Sequence, residues 1–364
     1  MSYSNYQIVK YICDDIRGIG DADKFIDMIG SDDVRWGGVI EQSQMHKLLP
    51  AMFLTLQKYK LLNSVPSKIR TLLYDNYRFF VHKNRMLQSE AIRVSQALEN
   101  ADVDYAARKG IVFDGSIYGN EGTRIYNDID FLINRSDENT VYDVMFSLGY
   151  EVGLYDYEAD DLIPMPRDEL IRYRMSPDHV PRFTKKTDSD IVTFIEVDFA
   201  TSLTWVNSGY EISTENALAD TTQASLNDRE GKIRALNKCY LFVDTAMHLF
   251  REAYLESSII DKGEDVNLVK FLDVALLYVN FDASEHSSIE DIVRQYEIER
   301  PIGWVLKHMD TLFSTNSAIE LSLDEGLDST WLNSWRESTG VVKQWKGSMD
   351  NRLASQDRES LLER

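Results

Sequence analysis

The chain has 364 residues, of which 43% are hydrophobic, so it is long enough for roughly two or three compact units with cores of their own. Its formal net charge of −21 at pH 7 creates a field that repels nucleic-acid phosphates, which disfavours tight binding to long DNA or RNA. We therefore expect a small molecule, a peptide or a protein as partner.

The sequence also bears on location. The first residues lack the basic stretch and apolar core of a secretory signal. Cys13 and Cys239 are the only cysteines, and their separation fits neither a disulfide framework nor a metal-binding cluster. The most apolar window, residues 268–281, contains Lys270 and Asp273 and is too short to cross a bilayer. We expect a cytoplasmic protein without a membrane partner.

Helical spacing of apolar residues predicts an N-terminal helical region over residues 1–100. A long amphipathic helix is predicted to follow Ser67 and to end near Asn100. Its aromatic residues are interpreted as packing residues rather than as a ligand-binding box: Tyr74, Tyr77, Phe79 and Phe80.

From Val103 the pattern changes to short apolar runs separated by turns, which predicts a core of strands and helices over residues 101–209. A weak strand at 103–107, a turn at Lys109-Gly110, a short helix at 111–118, a strand at 128–133 and a helix ending before Gly149 follow one another. The order is β-α-β-α.

The charged residues 154–178 are interpreted as a solvated loop or flap. The alternative is that basic residues in and after it hold a phosphate or an acidic acceptor: Arg172, Arg174, Arg182, Lys185 and Lys186. A hairpin of residues 180–187 and 191–200 comes next.

A C-terminal helical region is predicted over residues 210–364. Its helices are expected at residues 233–253, 266–279, 289–296 and 302–312. The polar stretch 346–364 is expected to be frayed.

Three aspartates carry the functional hypothesis. Asp128 and Asp130 lie two residues apart in a strand, so their side chains share one face, and Asp198 projects near the end of a neighbouring strand. Carboxylates held together repel each other unless cations are present, and Mg²⁺ prefers such oxygen ligands beside phosphates. Three such acids suit two cations about 3.5–4 Å apart, the separation used for in-line phosphoryl displacement. An isolated Asp-x-Asp also occurs at exposed strand ends and is weak evidence for a metal site. The neighbouring glycine turn and the third acid make the hypothesis more specific.

Other polar residues have a functional and a structural interpretation. Gly110 lets backbone N–H groups approach a phosphate at the start of the helix, and Lys109 adds a positive charge beside it. Arg124 either contacts a triphosphate or forms a surface salt bridge. His248 lies on an apolar helix face and is interpreted as packed and hydrogen-bonded. Glu196 shares the face of Asp198 and either supports the metal ligands or points into solvent.

A family resemblance follows from the central motifs. The segments Arg108-Lys109-Gly110, Asn127-Asp128-Ile129-Asp130-Phe131 and Leu148-Gly149-Tyr150, together with Tyr118 and Arg124, resemble the uncharacterised nucleotidyltransferase family of the DNA-polymerase-β-like superfamily. The superfamily's glycine-serine pair has two candidates here, Lys109-Gly110 and Gly115-Ser116, and we favour the first because it directly follows the predicted strand.

The resemblance implies an α+β fold with a small mixed sheet flanked by helices. It implies Asp128, Asp130 and Asp198 as catalytic metal ligands, with Asp198 nearest the acceptor, and nucleotide contacts from Lys109, Gly110 and Arg124. Transfer of a nucleoside monophosphate (NMP) from a nucleoside triphosphate (NTP), ATP first among them, to a hydroxyl would require Mg²⁺ or Mn²⁺. The alternative is a catalytically silent module of the same fold that binds a nucleotide or a protein. The sequence contains neither a Walker-type loop nor a kinase catalytic-loop motif, which argues against phosphotransfer by a kinase-like route.

Overall fold

An eight-stranded mixed sheet and many helices make up the computed structural model, which describes residues 3–119, 122–175, 178–226, 231–260 and 265–363. The helices are α1 (Asn5–Ile16), α2 (Ala22–Gly30), α3 (Trp36–Met45), α4 (Leu49–Lys58), α5 (Ser67–Asn100), α6 (Gly110–Ser116), α7 (Glu138–Ser147), α8 (Arg167–Met175), α9 (Thr214–Ala219), α10 (Lys238–Tyr254), α11 (Glu256–Ile260), α12 (Leu268–Val279), α13 (Ala283–Gln295), α14 (Glu299–Phe313), α15 (Ser317–Glu320), α16 (Ser329–Leu332) and α17 (Met349–Ala354). Short 3₁₀ turns lie at Leu62–Ser64, Arg135–Asp137 and Glu359–Leu361.

The strands of the main sheet are β1 (Tyr105–Arg108), β2 (Asp128–Ile133), β3 (Glu151–Asp156), β4 (Asp161–Pro164), β5 (Phe183–Lys186), β6 (Phe194–Ala200), β7 (Thr221–Leu226) and β8 (Gly231–Leu236). Their order is β4-β3-β5-β6-β2-β1-β8-β7, with β2 parallel to β6, β1 parallel to β8 and the other pairs antiparallel. The predicted α+β class, a mixed sheet with flanking helices, is confirmed.

Contacts group the chain into two units: Met1–Tyr77 with Phe242–Arg364, and Arg78–Leu241, which contains the whole eight-stranded sheet. The unit boundaries fall inside α5 and α10. These two units are defined by contacts between residues, whereas the three regions predicted above are defined by changes in the sequence pattern. The predicted boundaries at 100/101 and 209/210 therefore stay a prediction.

Helix α5 confirms the long helix predicted from the apolar stripe. Its residues Leu87, Ala91, Val94 and Leu98 are buried. The interpretation of its aromatic residues as core is only partly right, because Tyr74 packs edge-on against Phe53 and yet remains 48% exposed.

The sequence predictions for residues 154–178 and for the first part of the C-terminal region are wrong. Residues 154–178 are not a loop: within their described part, β3 and β4 form a hairpin and α8 follows. Residues 176 and 177 lie outside the described residues. The region after residue 209 is not purely helical, since β7 and β8 form a second hairpin and β8 pairs with β1. The helix predicted from Ile233 therefore begins at Lys238, because apolar residues of β8 and α10 run together in sequence.

The C-terminal stretch, predicted to be frayed, is folded over its described residues. Helix α17 begins with the Ser348 capping box, and its Arg352 is 2% exposed beneath the ring of Trp345. A small hairpin, β9 (Ser334–Arg336) with β10 (Val342–Gln344), lies in the same unit. Within the described ranges, no helix has the length and apolar character needed to cross a bilayer.

Candidate functional site

Strand β2 presents Asp128 and Asp130 on one face because side chains alternate along a strand. The other face is apolar, and Phe131 contacts the rings of Tyr105 and Phe199 at centroid distances of 5.6 Å in both cases. Burial of this apolar face fixes the register of β2, since a shift by one residue would place the carboxylates in the core.

Strand β6 adds two further acids beside this pair. In the parallel ladder, Asp128 is opposite Glu196 and Asp130 is opposite Asp198. Opposed residues of neighbouring strands, about 4.8 Å apart, project from the same side of a sheet. The four carboxylates therefore form one patch, which we call the acid face: Asp128, Asp130, Glu196 and Asp198. The sequence left the direction of Glu196 open, and the structure places it on this face.

Arg182 and Lys109 contact the acid face. The guanidinium of Arg182 donates from Nε to Asp198 Oδ1 at 3.1 Å and from Nη1 to Glu196 Oε1 at 3.1 Å. The ammonium of Lys109 lies 2.8 Å from Asp130 Oδ1. Asp128 has no such cation partner within the part of the chain that the structure describes.

The electrostatics of Asp128 reflect this arrangement. Burial, together with the charges of Asp130 and Asp198, raises the pKa of Asp128 to about 7, although Lys109 and Arg182 act in the opposite direction. A carboxyl group with a pKa near neutrality is poorly compensated, and a further cation on the acid face would favour its ionised form.

The acid face has suitable donors for a hard divalent cation, because carboxylate oxygens are the ligands that Mg²⁺ and Mn²⁺ prefer. In the described residues, however, no three His, Cys, Asp or Glu side chains are arranged to hold a metal ion as they stand. The side chains of Arg182 and Lys109 occupy carboxylate oxygens of this patch. The residues fit a metal by type, and these basic groups would have to move to admit it.

The Lys109-Gly110 turn leads from β1 directly into α6. Lys109 has a positive φ of 56° and directly precedes the helix. The helix begins at Gly110, as expected if Lys109-Gly110 is the counterpart of the superfamily's glycine-serine pair. A Cβ atom at position 110 would lie 2.5 Å from Cβ of Tyr126, so only glycine allows this approach. The glycine thus has a packing role next to the segment that leads into β2, whatever it does for a ligand.

The other predicted basic residues are dispersed. Arg124 donates to the carbonyl of Ile125. Arg172 pairs with Asp168 within α8, and Lys185 pairs with Glu90. Of the five basic residues proposed as a phosphate cluster, the structure shows Arg182 on the acid face.

His248 is part of a different charged group. On α10 its Nε2 lies 3.4 Å from Glu252 Oε2, and Lys270 Nζ lies 2.6 Å from the same oxygen. Burial opposes ionisation of Glu252, but His248 and Lys270 outweigh it and hold the pKa of Glu252 well below its usual range. This agrees with the structural interpretation of His248. Asp273 on α12 is buried.

A groove of about 790 Å³ lies at another place and shares no residue with the acid face. Its lining residues come from the C-terminal segment: Lys346, Asp357, Glu359, Ser360, Leu362 and Glu363. Three of the six are acidic, and nothing in it is arranged for phosphate chemistry, so we place the candidate site at the acid face.

Sequence reasoning missed Asp114, a fully buried carboxyl group on α6 beneath the segment that enters β2. It accepts hydrogen bonds from Gln88 Nε2 at 2.7 Å and from the Tyr126 hydroxyl at 3.4 Å. Burial raises the pKa of Asp114 to about 6, although Asn84, Tyr126, Arg124 and Gln88 oppose this. An aspartate one turn into an apolar helix is the signal that was available in the sequence.

Asp114 predicts a pH dependence of stability. Its pKa is higher in the folded than in the unfolded chain, so the folded state binds the proton more tightly, and stability falls as pH rises from about 4 to about 6. The loss is up to about 3 kcal/mol at 1.36 kcal/mol per pKa unit. We expect Asp114→Asn to lack this component, measured as the difference in urea unfolding from wild type at pH 4 and pH 7. The exposed control Asp143→Asn on α7 should show the same pH dependence of the free energy of unfolding as wild type. The prediction is wrong if Asp114→Asn also shows the wild-type dependence.

Comparison with known proteins adds the family. A family model described as "uncharacterised nucleotidyltransferase" matches residues 32–314. A solved structure described as an antigenic nucleotidyltransferase-like protein from Paracoccidioides brasiliensis is similar with 13% identity and a TM-score of 0.31, over 63% of this chain and 97% of that one. A search of curated proteins gives no significant match.

Proposed function

This chain belongs to the uncharacterised nucleotidyltransferase family. We propose that it transfers an NMP from an NTP to a hydroxyl of a small molecule, peptide or protein. The acceptor oxygen forms a bond to the α-phosphorus while the bond from that phosphorus to the β-bridging oxygen breaks. Pyrophosphate leaves, and the hydroxyl proton passes to a nearby base.

The observation that carries the proposal is the register of β2 against β6, which collects four carboxylates on one rigid face. In the proposal Asp128 and Asp130 hold Mg²⁺ or Mn²⁺ against the phosphates, and Asp198 is the third ligand, nearest the acceptor, where it accepts or orients the hydroxyl proton. When bound, the ions neutralise phosphate charge and activate the acceptor oxygen. Positioning and charge compensation of this kind need no protein nucleophile.

The nucleotide contacts in the proposal come from Lys109, Gly110 and Arg124. Lys109 already lies beside Asp130, so its ammonium can balance phosphate charge next to the acid face. Gly110 opens the backbone at the start of α6. Arg124 must release the Ile125 carbonyl to reach a phosphate. These roles are proposals that mutation of each residue can separate.

The net charge supports the proposed class of acceptor, and the state of the cysteines supports a cytoplasmic location. With a net charge of −21 the chain suits a small molecule, peptide or protein acceptor better than long nucleic acid. Cys13 and Cys239 are buried and are not joined in a disulfide, which is compatible with a reducing cytoplasm. ATP is the first NTP to test.

One observation favours a second function, a catalytically silent module that binds a nucleotide or a protein. Arg182 pairs with both Glu196 and Asp198, and among the described residues no three His, Cys, Asp or Glu side chains are arranged to hold a metal ion. A family member that had lost turnover would tolerate such an internal ion pair.

Incubation with each labelled NTP, with Mg²⁺ or Mn²⁺ and a panel of hydroxyl-bearing acceptors, tests the choice. We expect pyrophosphate release with one NTP and an acceptor heavier by one NMP, only when metal is added. Asp128→Asn/Asp130→Asn should abolish the signal, whereas the exposed control Asp143→Asn should keep it. Identical traces from wild type and the double variant would contradict transfer, and NTP binding without turnover would then favour the silent module.

A further inference from the structure

Arg182 joins two acids of the candidate site through one guanidinium group. Its Nε and Nη2 donate to the two carboxylate oxygens of Asp198 at 3.1 and 3.4 Å, while Nη1 donates to Glu196 Oε1 at 3.1 Å. A planar guanidinium can satisfy several carboxylate oxygens at once, which a lysine ammonium cannot do with the same geometry. Both carboxylates on the β6 side of the acid face therefore share a single cation.

The position of Arg182 follows from the sheet. Phe183 at the start of β5 is opposite Val197 on β6, so the preceding residue lies beside Asp198. The guanidinium is not locked in the core, since the side chain of Arg182 is 34% exposed, against 15% for Glu196 and 20% for Asp198. Movement of this side chain into solvent would leave the strand ladder intact, because the ladder consists of backbone hydrogen bonds.

The oxygens that Arg182 holds are those that a divalent cation needs. A carboxylate lone pair directed at a guanidinium N–H is not available to a metal, and two like-charged groups cannot share one site without repulsion. Lys109 presents a smaller obstacle, because its ion pair with Asp130 covers one oxygen of one acid.

We infer that Arg182 is an internal counter-ion that a divalent cation must displace from Glu196 and Asp198 before the acid face can bind it. Arg182 thereby sets the metal affinity of the site and partly compensates the charges of Glu196 and Asp198 until the cation arrives. The inference rests on the proposed metal-dependent function and adds to it a positioning residue and a fourth carboxylate, Glu196.

The counter-ion role of Arg182 is tested by measuring the affinity for a metal ion in the absence of nucleotide, so that no reaction takes place. Titration of Mn²⁺, followed by the electron paramagnetic resonance signal of the free ion, should give a dissociation constant about 10-fold lower for Arg182→Gln than for wild type, the equivalent of one partly buried ion pair. Arg182→Lys should fall between them, because lysine keeps the charge but loses the fork.

A charge-matched control excludes a general effect of removing a cation from an acidic protein. Arg172→Gln also removes an arginine that pairs with an aspartate, Asp168, but both side chains are exposed on α8. Its Mn²⁺ affinity should equal that of wild type. Arg182→Lys also separates geometry from charge, since an effect of charge alone would leave it identical to wild type.

The outcomes distinguish this inference from the proposed function. If wild type binds Mn²⁺ at the acid face and Arg182→Gln binds it equally or more weakly, the counter-ion role is wrong and the proposed function stands. If neither protein binds Mn²⁺ more tightly than Asp128→Asn/Asp130→Asn does, both are wrong. A circular dichroism melt of each variant checks folding, and Arg182→Lys provides the test if Arg182→Gln does not fold.

Discussion

Asp128→Asn should make the protein more stable and, in the proposed function, strongly lower the rate of nucleotide transfer. The pKa of Asp128 is raised to about 7 by burial and by its acidic neighbours. A carboxyl group whose pKa is higher in the folded than in the unfolded chain costs stability, and the cost grows as pH rises from about 4 to about 7. At pH 8 asparagine removes that cost, and after a discount for partial exposure we expect a gain of about 2 kcal/mol in the free energy of unfolding.

The loss of transfer has a separate cause. The asparagine side chain would keep the size of the aspartate but lose the charge that, in the proposed function, holds a cation against the phosphates. Removal of one preorganised electrostatic group costs about 10²–10³-fold in rate in well-studied enzymes, and a metal ligand belongs at the upper end. We expect a decrease of about 1,000-fold, in line with that upper end.

Two measurements on one variant test both halves. Urea unfolding at pH 8 and pH 5 should show the gain at the higher pH and its decrease at the lower, and the transfer assay should show the loss. The control Asp143→Asn, exposed on α7 of the same unit, should change neither. A variant that lost stability together with activity would indicate that Asp128 is a structural residue, and a variant that lost neither would remove it from the site.

Asp265→Asn should destabilise the protein by about 3–5 kcal/mol, the cost of leaving a buried charge without its partner. Arg352 donates from Nε to Asp265 Oδ2 at 2.8 Å, and Arg358 pairs with the other carboxylate oxygen. The exposed fractions of the three side chains are 1% for Asp265, 2% for Arg352 and 9% for Arg358. Burial opposes ionisation of Asp265, but the two guanidinium groups outweigh it and lower the pKa of the carboxyl group.

Without the carboxylate, two guanidinium groups would remain in the core with no anion between them. Burial already lowers the pKa of Arg352 to about 10, which shows how poorly its charge is solvated there. Equilibrium urea unfolding at pH 7 measures the loss, and the matched control is Asp291→Asn, exposed on α13 in the same unit, which should stay within about 0.5 kcal/mol of wild type. A change below about 1 kcal/mol for Asp265→Asn would mean that the arginines find other partners.

Sequence alone determined the features that depend on local periodicity. The stripe of apolar residues predicted α5, and strand alternation placed Asp128 and Asp130 on one face, because both patterns are set by backbone geometry within a few residues. The same local motif carried the family resemblance, which the match over residues 32–314 confirms.

Only the tertiary structure decided which residues meet across the sheet and in the core. Strand β8 pairs with β1, which is far from it in sequence, so local periodicity did not reveal the hairpin of β7 and β8. The polar C-terminal stretch is folded, and its buried residues Arg352 and Arg358 pair with Asp265. Likewise, the ladder of β2 with β6 places Glu196 on the acid face, and that of β5 with β6 brings Arg182 to it. Strand order, register and burial are non-local properties, since the residues that create them are far apart in the chain and come together only on folding.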